Sequence, residues 1–127
     1  MSFFFNGAQA NATITSTGSA LLSATATRAT TGTTTIFTTT AGKTARVKKI
    51  ALSLVNEGAG THTVKINNDG AVVYTIAWVQ ATAAASNLYG EVVDFGDDYL
   101  SVAATKVLQL ESVGNQSCNV QVFYYEV

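Results

Sequence analysis

The sequence predicts an all-β protein, a jelly-roll-like antiparallel β-sandwich of about eight strands that follows an extended N-terminal arm. Three observations carry that expectation. From residue 33 onward apolar and polar side chains alternate with a period close to two. Turn-forming residues recur about every ten positions, the spacing of short antiparallel strands. The composition is 47% hydrophobic but only 12% charged, and rich in Thr, Ala and Val, which suits pleated strands with a weakly charged surface. At 127 residues the chain is long enough for one domain with a real core.

Residues 1–32 form the expected arm. NATITSTGSALLSATATRATTGT is small, polar and β-branched, and Gly18 and Gly32 interrupt its weak apolar pattern. Such a segment buries too little to fold alone, so it is expected to order by adding to a sheet or by lying on a partner. The sandwich is expected over residues 33–127, with strands at 33–39, 43–55, 61–67, 71–79, 87–95, 98–104, 106–112 and 117–126.

Each strand has a face. In the second, Val47 is out of parity with Ile50, Leu52 and Leu54, so a flat strand would point it away from them. A β-bulge near Lys48 and Lys49 restores all four to one face and bends the strand. His62, Val64 and Ile66 share a face of the third strand. AVVYTIAWV, residues 71–79, is apolar on both faces and is expected to be central or covered by a partner. Asn68, Asp69 and Gly70 tolerate the positive φ of a tight hairpin turn. Gly42 is expected to turn the chain into the bulged strand. Cys118, Val120, Val122 and Tyr124 line one face of the last strand.

Charge is unevenly spread. Residues 1–56 hold Arg28, Lys43, Arg46, Lys48 and Lys49 and no acid, whereas eight acids follow against Lys65 and Lys106, giving a net charge of -1. That polarity fits a chain whose parts meet oppositely charged neighbours in an oligomer or on a larger surface. Arg46 and Lys48 share a strand face with no aromatic interleaved, so KTARVKK is read as a solvated face or subunit contact, and no nucleic-acid partner is expected. The start MSFFFNGAQA lacks the basic region of a signal peptide, and no apolar run is long enough to span a bilayer, so no membrane partner is expected either.

Catalytic chemistry finds little to use. One His and one Cys nearly exclude zinc, and no phosphate-cradling glycine motif is present. His62 reads as a packed histidine and Cys118 as a small core residue that has no disulfide partner in the chain. Asp94, Asp97 and Asp98 in VVDFGDDYL read as a solvated turn before an oxygen-ligand cation site. No enzyme activity, metal or cofactor is expected.

TIFTTTAGKTARVKKIALSLVNEGAGTHTVKI resembles the opening of small structural proteins of tailed bacteriophages, in which a threonine-rich strand, Ala-Gly-Lys, a basic-apolar strand, Asn and a Thr-Val-rich strand follow one another. VVDFGDDYLSVAAT and NVQVFYYEV resemble the second half of such proteins, so the resemblance spans residues 33–127; Thr40 stands where the pattern usually has Pro. The resemblance implies a capsid decoration (cement) protein on the virion surface, made in the host cytoplasm. It also implies a homotrimer that bridges junctions of the major capsid protein. Phe3, Phe4 and Phe5 are the candidate capsid-binding anchors, and Arg46, Lys48 and Lys49 the candidate electrostatic contact with subunit or shell. The alternative is a head-fibre or tail module that binds host glycans by stacking on Trp78.

Overall fold

The computed structural model describes residues 20–56, 59–80, 87–114 and 116–127, the side chains at 55, 56, 78, 80 and 87–89 excepted. These residues form nine strands and no helix: β1 (Leu22–Arg28), β2 (Gly32–Thr38), β3 (Ala45–Asn56), β4 (Gly60–Asn68), β5 (Ala71–Gln80), β6 (Asn87–Asp94), β7 (Leu100–Val102), β8 (Val107–Val113) and β9 (Gln116–Glu126).

Two antiparallel sheets face each other. One has the order β1-β9-β3-β6, with β7 also paired to β3; the other has the order β2-β8-β4-β5. Apart from β4–β5 and β6–β7, each strand is followed by one in the opposite sheet, and the first described strand lies beside the last. That is the jelly roll, two Greek keys wrapped into a sandwich. Inward residues of both sheets meet in one core: Val47, Ile50, Leu52 and Leu54 of β3, Val64 and Ile66 of β4, Leu108 and Leu110 of β8, and Val120 and Val122 of β9 are all buried. Phe37 of β2 stacks on Tyr124 of β9 across the sheets, with ring centroids 4.1 Å apart and planes 10° from parallel.

The expected bulge is present. β9 pairs Phe123 with Lys49 and Tyr124 with Val47, so Lys48 is the extra residue. On the other edge of β3, Lys49 pairs with Asp94 of β6 and Val47 with Leu100 of β7, so the bulge marks where one neighbour hands over to the next. Asp69 and Gly70 take φ of 51° and 88° in the tight β4–β5 hairpin, as the sequence requires. Gly42, at φ 78°, sits in the turn closed by the Lys43 amide donating to the Thr40 carbonyl at 3.1 Å.

The structure narrows two readings that the sequence left open. β1 lies inside the segment read as arm and adds to a sheet, one of the two ways that segment was expected to order: Leu22–Arg28 pairs along its whole length with β9. Its inward residues are Ala24 and Ala26, too small to produce an apolar rhythm, and backbone pairing is what orders it. β5 is an edge strand, not a central one, among the described residues.

Candidate interaction surface

Lys48 owes its position to the bulge. As the unpaired residue it is half-buried beside the turn that joins β6 to β7, and its Nζ donates to the Gly96 carbonyl. The same turn supplies Tyr99, whose ring lies 4.7 Å from Lys48 Nζ and 5.5 Å from Arg46 Cζ. Two cations therefore flank one phenol ring, an arrangement worth about 0.5–1 kcal/mol per pair at an exposed site. Lys49, on the outer face, sits opposite Asp94 in register. Asp94 is engaged as well, because its Oδ1 accepts the Gly96 amide at 2.8 Å.

The structure thus brings Arg46, Lys48 and Lys49 to one corner of the five-stranded sheet, with Phe123 and Tyr125 of β9 beside Lys49 and Arg46 in register. Sequence reading found the cations and missed their aromatic, since Tyr99 lies about fifty residues downstream and reaches them only through β3–β7 pairing. Pairing sets one cation of the basic part against the acidic part, Lys49 opposite Asp94, while within the acidic part Lys65 lies opposite Glu111 and Lys106 bridges Asp69 at 3.2 Å. Arg28, counted with the basic half, is turned inward to the β1–β2 turn. Its guanidinium donates to the carbonyls of Thr30, Thr31 and Thr33 and to Thr34 Oγ1 at 2.9–3.3 Å. Arg46 and Lys49 keep exposed side chains on the corner.

At the far end of the sandwich His62 lies in a buried polar network. Gln116 Nε2 shares its hydrogens among the carbonyls of Thr63 and Val113 and Ser112 Oγ, so its Oε1 accepts from His62 Nδ1 at 2.9 Å. The imidazole therefore carries hydrogen on Nδ1. Ser112 also hydrogen-bonds Cys118, whose Sγ donates to the Arg28 carbonyl at 3.3 Å. Burial pushes the Cys118 thiol above its ordinary value, against the pull of these hydrogen bonds and of Arg28. A protonated, buried thiol is a poor nucleophile, and His62 Nδ1 is committed to the Gln116 amide. This network satisfies polar groups inside the sandwich end; Gly114, at φ 107°, is needed there because a Cβ would come within 2.9 Å of Gln116 Oε1.

Among the described residues no three His, Cys, Asp or Glu side chains converge as a metal site. Asp98 instead closes its turn by its amide, which donates to the Phe95 carbonyl at 2.9 Å. A shallow depression of about 330 Å³ on the outer face of the five-stranded sheet is walled by Thr25, Thr27, Ala51, Ser53, Asn119 and Gln121, and offers no titratable group. Phe3, Phe4 and Phe5 lie outside the described residues, as does the side chain of Trp78, whose backbone belongs to β5.

No family model and no curated protein sequence matches the chain. Among solved structures, it is similar to a chain in the acidic stable capsid structure of the Helicobacter pylori bacteriophage KHP30, with a TM-score of 0.52 and 17% identity over 87% of this chain and 94% of that one. The VP2 protein of infectious bursal disease virus, from T=1 particles, overlaps at a TM-score of 0.27 and 15% identity over 84% of this chain and 36% of that one. The likeness to the phage capsid chain is one of fold, a common path of strands carried by largely different side chains.

Proposed function

We propose that this chain is a non-enzymatic structural protein of a virion, and more specifically a capsid decoration (cement) protein that binds across junctions of the major capsid protein and stabilises the phage head. The observation that carries the reading is the jelly-roll path from β1 to β9, shared over nearly the full length of both chains with a component of a phage capsid structure. The protein acts by contact alone. A cement molecule that binds two or more neighbours at once makes shell opening break its contacts too, so the shell gains stability by linkage.

Each surface has a part in this proposal. Phe3, Phe4 and Phe5 anchor the arm in the shell; full burial of a Phe is worth roughly 1.5–3 kcal/mol, enough for two rings to offset the ordering of a few residues. Arg46 and Lys49 on the Tyr99 corner, with Lys48 between them, meet an acidic surface of shell or subunit. The trimer follows from the phage resemblance. The assembled protein sits on the outside of the virion after synthesis in the host cytoplasm.

Electron microscopy of particles with and without the protein tests the proposal. Density at junctions between major capsid subunits is the expected result; density confined to spikes or tails, or saturable glycan binding lost in Trp78→Ala, would replace it with the fibre reading. Deleting residues 1–6 is expected to leave a folded oligomer that no longer occupies shells. Reversing Lys48 and Lys49 to Glu is expected to weaken binding more at low than at high ionic strength, because exposed charges are screened within about 10 Å at 0.1 M salt.

A further inference from the structure

The sequence requires AVVYTIAWV to be either central or covered, and the fold rules out the first: β5 ends its sheet among the described residues. An edge strand presents a row of backbone donors and acceptors that another strand can pair with, and natural edges are usually blunted by Lys, Pro, a bulge or brevity. β5 has no Lys and no Pro, and its one bulge, at Val73, lies near its start and leaves the seven residues that follow regular. It is ten residues long, and residues 70–90 contain no charged side chain and no Pro. Three exposed large apolar residues belong to it: Val72 (51%), Val73 (39%) and Val79 (76%). Its inward residues Tyr74 and Ile76 are only half-buried, and so are Val93 and Phe95 across the flank, so the core itself is thinly covered here.

We infer that β5 is the edge along which two copies of this chain pair, antiparallel about a two-fold axis through Ile76, joining their four-stranded sheets into one continuous sheet of eight. The choice of a second copy rests on charge and register. In a two-fold contact a strand meets its own residues, so any charge near the axis faces its like. An edge free of charge over its whole length meets no such repulsion and offers a charged partner nothing. With the axis at Ile76, Thr75 stands opposite Ala77 on the outer face, Val79 falls opposite the bulged Val73, and Tyr74 falls opposite Trp78 in register. Val79, the most exposed apolar residue of the strand, thus meets another exposed valine. The contact depends only on β5 and is independent of the virion role.

The test uses the full-length chain. Ala77→Lys/Val79→Lys, two exposed positions, places four lysines along the pair, and the mass at sedimentation equilibrium is expected to fall to half that of the unaltered protein while the far-ultraviolet circular dichroism stays the same. An unaltered mass overturns the inference. As a second measurement, Thr75→Cys/Ala77→Cys is expected to yield a disulfide-linked dimer under oxidising conditions, because the axis sets residue 75 beside residue 77 of the other copy. A product that stays at single-chain size on a non-reducing gel overturns the two-fold register, which is also the outcome if a different strand fills this edge.

Discussion

On the flank where β1 and β2 end their sheets, the sandwich is latched. Arg28 binds the Thr30, Thr31 and Thr33 carbonyls and Thr34 Oγ1, the Gly114 amide donates to Thr31 Oγ1 at 3.2 Å, and Phe37 stacks on Tyr124 just inside. On the opposite flank β5 and β6 end theirs, and β5 leaves valines in solvent and half-covered core residues behind it. β1, β2 and β5 are alike rich in Thr, Val and Ala, so composition does not separate them. What separates them is one inward-turned arginine and one aromatic pair. The finished flank is closed by the fold itself; the other is the edge inferred to pair with a second copy.

That contrast can be broken by substitution. Phe37→Ala removes the ring that closes the latched side and is expected to cost about 3–5 kcal/mol in urea unfolding. Arg28→Ala leaves turn carbonyls to water and loosens β1, with an expected loss of about 1–3 kcal/mol by the same measurement. Gly32→Ala tests the latch from the other side. Gly32 has φ 142° and a Cβ there would stand 2.1 Å from Arg28 Nη2, so the guanidinium must leave, and the loss is expected to approach that of Arg28→Ala.

Alkaline titration sharpens the same comparison more gently. Burial raises the Cys118 thiol above 9.0, and burial followed by the Glu126 charge raises the Tyr124 phenol above 10.0. Each group keeps its proton longer when folded than when unfolded. Their stabilisation is therefore complete below about pH 9 and is lost as pH rises through the two folded values. Melting temperature is expected to hold from neutrality to pH 9 and decline above it, with the first part of the decline absent in Cys118→Ala. The smallest effect falls on the open flank. Ala77→Lys is expected to change the unfolding free energy of the single chain by no more than about 0.5 kcal/mol, because the position is exposed.

The sequence is most legible where a side chain must be buried. The parity break at Val47 forces a bulge, and the bulge is at Lys48. His62, Val64 and Ile66, and Cys118, Val120, Val122 and Tyr124, occupy the buried face that alternation assigns them. Legibility fails where backbone pairing does the work. β1 orders behind two alanines, and the partner of a strand leaves no local trace, so nothing near residues 71–79 tells an edge from a centre. The candidate contact residues show both cases. Arg46, Lys48 and Lys49 are evident as a run, but Tyr99 joins them only once β7 lies against β3.

The pairing of β1 with β9 also has a mechanical meaning. Leu22 lies opposite Tyr124, so whatever precedes residue 20 and whatever follows Val127 depart from the same end of the sandwich. Tension that draws those two departures apart would open the β1–β9 ladder like a zip, one rung at a time from Leu22 toward Arg28, instead of loading all rungs in shear. A molecule held by its arm would thus shed β1 first, and the Arg28 clasp at the far end of that strand is where the peeling would stop.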